Sequence, residues 1–169
     1  MFKPYFKDYE LAFANLTDRD TTDLLVIHHT GNPKDDNISA EGLHESHLNK
    51  GWAGIGYHFV IRKNGSIELG RPMDSIGSHA YGYNSHSIGI HLCGNFNLAE
   101  PTNAQIESCA VLLAWLMEQY ELPVSSIVGH RDLDATSCPG ENLYSKIDTL
   151  KGKVAWYLKH YQNGYYDGL

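Results

Sequence analysis

Four consecutive apolar residues, Leu24-Leu25-Val26-Ile27, run directly into His28-His29-Thr30. A strand with one wet face alternates apolar and polar residues, so an uninterrupted branched run reads as a strand covered on both faces. That requires a layered molecule, with this strand central and helices packed against it. It also means that two histidines stand where the buried strand ends, and strand ends of open α/β sheets are where sites are assembled.

The other segments fit this frame. Ser39 to Lys50 reads as a helix, with Ser39 as N-cap and Gly51 just past its end. Tyr57 to Arg62 reads as a strand, Lys63-Asn64-Gly65 as a turn, and Ser66 to Gly70 as the returning strand of a hairpin. Ile88 to Leu92 is a further strand. Thr102 caps a helix whose apolar positions Ile106, Cys109, Ala110, Leu113, Met117 and Tyr120 recur at three- and four-residue steps, and Pro123 stops it. Ile127-Val128 is a short strand that delivers Gly129-His130. One last helix carries Leu143, Ile147, Leu150, Val154 and Leu158. The expected fold is α/β, a single domain with a central mixed sheet flanked by helices and a site at the strand ends. Residues 1–22 are expected to form an arm, 23–162 the single folded domain that carries the site and 163–169 a tail.

At 169 residues the chain suits one core. Its formal charge of −7 and lack of a basic stripe argue against a nucleic-acid partner. No apolar run approaches the roughly 18–20 residues of a membrane helix, so no membrane insertion is expected. Lys3 and Lys7 are followed at once by Asp8 and Glu10, with no apolar stretch of the kind that a secretory leader carries. Cys93, Cys109 and Cys138 are odd in number and irregularly spaced, which suits free thiols in a reducing compartment. Ten histidines justify a search for a metal site.

His28-His29 and a second segment, His130 through Cys138-Pro139-Gly140, are the candidates. Two imidazoles and one thiolate would give zinc three protein ligands and leave the fourth position for water, the catalytic rather than the structural arrangement. Zinc brings the pKa of such a water down to roughly 7. Spacing does not choose between His28 and His29. His44 and His47, three apart on a helix, read as packing residues, His58 and His91 as strand residues, and Asp132 and Asp134 as loop formers beside His130. Cys93 and Cys109 read as small buried hydrophobes.

Four ordered blocks, VIHHT (26–30), GWAGIGYHFVIRKNGSIELGR (51–71), GSHAYGYNSHSIGIHL (77–92) and GHRDLDATSCPG (129–140), resemble the type 2 N-acetylmuramoyl-L-alanine amidases, a family that includes amidase-type phage lysozymes and peptidoglycan recognition proteins. The resemblance implies a zinc site of His28, His130 and Cys138, with His29 packing beside it or facing substrate. It implies Tyr57 and Thr136 as catalytic residues and His79 and Asn84 as lining a glycopeptide groove. The implied reaction is cleavage of the amide between N-acetylmuramic acid and the L-alanine of the stem peptide, with bacterial peptidoglycan or muropeptides as partner and a monomer as the working unit.

Two rival readings stand beside it. Non-catalytic recognition proteins lose the zinc cysteine, whereas Cys138 is present here with Tyr57 and Thr136. A thiol hydrolase with Cys138 as nucleophile and His130 as base leaves the His28-His29 strand end without a role. The expected setting is synthesis in the cytoplasm and action on the wall after release, as in phage lysis. Cytosolic muropeptide recycling and export as an interbacterial toxin are the other settings that fit.

Overall fold

The computed structural model describes residues 3–161. The expected tail, 163–169, lies outside the described residues. Five strands, β1 (Leu24–His29), β2 (Phe59–Ile61), β3 (Ile67–Leu69), β4 (Ser87–Leu92) and β5 (Ile127–Gly129), form one sheet in the order β3-β2-β4-β1-β5. β1 runs parallel to both of its neighbours, β4 and β5, and β2 runs parallel to β4, while β2 and β3 form the antiparallel hairpin. The sheet is therefore mixed, and the apolar run is its buried middle, with Leu25, Val26 and Ile27 fully buried.

Alternation along the strands sorts the side chains onto two unlike faces. Leu25, Ile27, Phe59, Ile61, Ile88, Ile90, Leu92 and Ile127 pack into the main core, against α2 (Asn103–Tyr120) and α4 (Ile147–Tyr161). The opposite face carries Val26, His28, Val60, Gly89 and His91, with His28 paired to His91 and Val26 to Gly89 across β1 and β4. Only part of it is apolar: Val60 packs with Ala40, Leu43, Ile55 and Cys93 beneath α1 (Ala40–Asn49). The rest is the floor on which the site is built.

Local sequence accounts for the helix ends. Ser39 accepts the Gly42 N–H and starts α1. Thr102 and Gln105 form a reciprocal capping box at the head of α2, and Glu121 in a left-handed conformation (φ 53°) ends it before Pro123. Gln105 does more. It is fully buried, and its amide also donates to the carbonyls of Ile61 (3.3 Å) and Cys93 (2.9 Å), tying α2 to the ends of β2 and β4.

Three expected boundaries move. The strand expected over 57–62 is regular only from Phe59 to Ile61, because Tyr57 and His58 meet the 70–71 backbone and Gly89 through irregular bonds. The returning strand is likewise trimmed to 67–69, after a turn at Gly65 with φ 88°. The last helix is broken into α3 (Glu141–Tyr144) and α4. At the break the Lys146 N–H bonds to Leu143 three residues back and the Ser145 hydroxyl bonds to the Asn142 carbonyl, a tightened turn that apolar spacing alone does not reveal.

The described part of the arm lies against the hairpin. Lys7 exchanges backbone bonds with Ile67 and Leu69, shielding the β3 edge, and Phe6 packs on Phe59 and Trp115 with ring centres 5.2 and 5.5 Å away. Truncating Gln105 to alanine strands the Cys93 carbonyl and the Thr102 N–H, and leaves the Ile61 carbonyl with the Cys93 N–H alone. Gln105→Ala is expected to cost about 2–3 kcal/mol and to lower the melting temperature by roughly 4–12 °C; a thermal scan with an unchanged midpoint would remove this tie from the account.

Candidate metal centre

The donors converge because their strands are neighbours. β1 ends with His28 on the open face and His29 on the core face. β5, beside β1, ends at Gly129 and delivers His130 to the same end of the sheet. The chain then curls back. The Arg131 N–H bonds to the Cys138 carbonyl (2.9 Å), the Asp134 N–H to the His130 carbonyl and the Cys138 N–H to the Thr136 hydroxyl (3.2 Å). Asp132 fixes the root of this loop by accepting the Gly129 N–H and the Tyr144 hydroxyl.

The result is one ligand atom each from His28, His130 and Cys138, all within 4.8 Å of one another. Nδ1 of His28 lies 3.6 Å from the Cys138 sulfur, and the His28 and His130 rings are 4.6 Å apart. Burial, reinforced by the surrounding imidazoles, holds His28 well below its ordinary pKa. Burial also lowers His130, against an opposing pull from Asp134. Both therefore present lone pairs at neutral pH. Burial pushes the Cys138 thiol up to about 12, so a cation that binds here must displace its proton. The group could hold a metal ion.

Tyr57 stands over the site, its ring 5.1 Å from His28 and 4.6 Å from His91. Burial, and then the proximity of Cys138, raises its pKa, so the phenol stays neutral and able to donate. Two α1 histidines set its position. Nδ1 of His44 accepts the Ile55 N–H and Nδ1 of His47 the Gly56 N–H, both at 3.0 Å, while Nε2 of His44 donates to the Ala12 carbonyl. Gly56 is obligatory there, since a Cβ would lie 2.0 Å from the Ser78 carbonyl oxygen. His44 and His47, three apart in sequence, are thus clamps on the segment that presents Tyr57.

Thr136 is half-buried beside Cys138, and its oxygen accepts the Cys138 N–H. His79 reaches the group from the loop before β4, with Nδ1 2.9 Å from Nε2 of His28. Asn84 holds that loop, its side-chain oxygen accepting the His79 and Ala80 N–H groups at 2.9 Å each. His29 points away from the three donors. Its Nδ1 accepts the Phe96 N–H, its ring stacks on Phe96, and burial lowers its pKa to about 4. His58 is fully buried, accepting the Gly89 N–H through Nδ1 and donating through Nε2 to the Ser75 carbonyl. Sequence reasoning missed the clamps and the His28–His79 contact; the only trace of them was the density of histidines and glycines in these loops.

A three-donor group able to hold a metal ion lies at the strand ends of a mixed sheet, with a neutral phenol and a hydroxyl at its edge, an arrangement suited to hydrolysis. The family model for N-acetylmuramoyl-L-alanine amidase matches residues 18–141, and the chain belongs to that family. The endolysin of Escherichia phage T7 is 33% identical over 138 residues, covering 79% of this chain and 90% of the relative. Peptidoglycan-recognition protein SC2 of Drosophila melanogaster is 36% identical over 131 residues, covering 73% and 71%. Among solved structures, N-acetylmuramoyl-L-alanine amidase LysC from Clostridium intestinale is 35% identical with a TM-score of 0.83, covering 90% of this chain and 99% of that one.

Burial of neutral imidazoles has a consequence for stability. Burial brings His58 and His91 down to about 3 and His47 to about 4, against 6.5 for a free imidazole. Below pH 6.5 the unfolded chain takes up protons that the folded chain refuses, so the stabilisation is complete above that pH and is lost as pH falls toward 3. Urea midpoints are expected to fall steadily from pH 6.5 to 4; a constant midpoint over that interval would contradict the assignment.

Proposed function

We propose that this chain is a zinc-dependent peptidoglycan hydrolase that cuts the amide between N-acetylmuramic acid and the L-alanine of the stem peptide, in the manner of a phage endolysin. The observation that carries the reading is the convergence of His28, His130 and Cys138 in a chain of the N-acetylmuramoyl-L-alanine amidase family. Imidazole and thiolate suit zinc, and three protein donors leave the open position of a catalytic site. When bound, zinc supplies Lewis acidity and a water nucleophile that is ionised near neutral pH.

The chain's own groups do the remaining work. The neutral Tyr57 hydroxyl donates to the substrate carbonyl oxygen as it gains negative charge, the moment at which a fixed donor counts most. The Thr136 oxygen already accepts the Cys138 N–H, so its own proton is available for the same oxygen. The loop held by Asn84 forms one wall of the substrate groove. With a formal charge of −7 the chain gains no long-range pull toward an anionic wall, so recognition rests on groove shape and hydrogen bonds. A thiol mechanism is disfavoured, because burial raises the Cys138 thiol to about 12 and, among the described residues, no cationic side chain offsets it.

Digestion of purified wall, followed by mass spectrometry, is expected to give glycans with intact lactyl groups and free stem peptides beginning at alanine. A chelator should abolish both products and added zinc restore them. Cleavage between sugars instead would refute the assigned bond, and chelator-resistant cleavage would refute zinc. Tyr57→Phe is expected to retain stoichiometric zinc while kcat falls by about 10²–10³; unchanged turnover would remove Tyr57 from catalysis.

A further inference from the structure

A metal-bound histidine ordinarily passes its second N–H to a carboxylate, a backbone carbonyl or water, and that partner fixes which nitrogen faces the metal. His28 departs from this. Its Nε2 lies 2.9 Å from Nδ1 of another histidine, His79, and the rings meet edge to face with centres 5.0 Å apart. Nε2 of His79 in turn lies 3.2 Å from the hydroxyl of Ser87, which is fully buried. We propose that His79 and Ser87 form a neutral relay that fixes the ligating nitrogen of His28, making His79 a positioning residue of the metal centre. The inference rests on the zinc reading above.

Proton placement follows from the geometry. Nδ1 of His28 faces Cys138 at 3.6 Å and must offer its lone pair to the cation. The His28 proton is then on Nε2 and is donated to Nδ1 of His79. That leaves the His79 proton on Nε2, where it is donated to the Ser87 oxygen. Each nitrogen has one role, and no charge enters the chain.

The surroundings are shaped for this ring. A Cβ on Gly89 would lie 2.6 Å from Cγ of His79, and a Cβ on Gly77 would lie 2.7 Å from its Cδ2, so two glycines open the slot from either side. Asn84 anchors the His79 backbone through its N–H. Behind the slot, the His58 ring packs edge to face on His79 with centres 5.7 Å apart. A loop contact of no consequence would not need both glycines and a dedicated backbone clamp.

The test is zinc affinity, measured by competition with a chromogenic chelator, together with ¹⁵N-imidazole NMR of the zinc-loaded protein. His79→Ala is expected to weaken zinc binding by about 10–100-fold and to abolish the slowly exchanging Nε2–H signal of His28. His79→Asn places a carboxamide oxygen near the Nδ1 position and is expected to restore both. Ser87→Ala, which leaves the His28–His79 contact in place, is expected to give a smaller loss of affinity and covers the case in which His79→Ala does not fold. Wild-type affinity in His79→Ala, or in Ser87→Ala should the former not fold, would overturn the relay and leave the zinc reading intact. Failure of the wild-type chain to bind zinc at all would overturn both.

Discussion

Everything in the site depends on β1 having hydrogen-bonded neighbours on both sides. Parallel pairing with β5 brings His28 and His130 to the same end of the sheet, and pairing with β4 sets His91 opposite His28 and leaves Gly89 beside Val26. A central strand cannot shift by one residue without exchanging its core and site faces. Here such a slip would put Ile27 in the cleft and His28 in the apolar core. The hydrophobic register of the sheet is therefore also the register of the candidate metal donors.

That arrangement asks one face of the sheet to bury imidazoles at a depth where aliphatic side chains would cost less. The cost is contained by hydrogen bonding. His44, His47 and His58 each accept a backbone N–H at Nδ1, and His44 and His58 each donate to a carbonyl from Nε2. These bonds add to the backbone bonds of loops that have no regular secondary structure, so histidines help to fix Ile55, Gly56 and Ser75. His91 is the least satisfied: Nε2 meets the Thr30 hydroxyl, while Nδ1 is buried without a partner. Rigidity around Tyr57 thus comes from polar bonds in a dry setting, which are strong when complete and costly when broken.

Much of this was legible in the amino-acid order. The Leu24–Ile27 run announced a doubly covered strand, Ser39 and Thr102 announced their helices, and four ordered motifs pointed to the three donors. Less was legible where the chain is irregular. The break at Ser145-Lys146 interrupts a continuous apolar pattern, because a local hydroxyl-to-backbone bond overrides periodicity. Tyr57 falls outside its expected strand because contacts distant in sequence, from α1 and from Ser78, decide its backbone. The choice between His28 and His29 could not come from spacing; it comes from alternation, which becomes usable only once the buried face of β1 is known. The His28–His79 contact spans 51 positions and has no sequence signature beyond two glycines that flank its slot.

The uncharged company around His28 has an implication for electrophilicity. A carboxylate behind a ligand imidazole draws its proton away and feeds electron density to the cation, softening its positive charge. An imidazole backed by a serine donates far less. A cation seated here would keep more of its pull on an amide carbonyl, a weakly polarised target, while depending for its retention on two neutral imidazoles and a single thiolate.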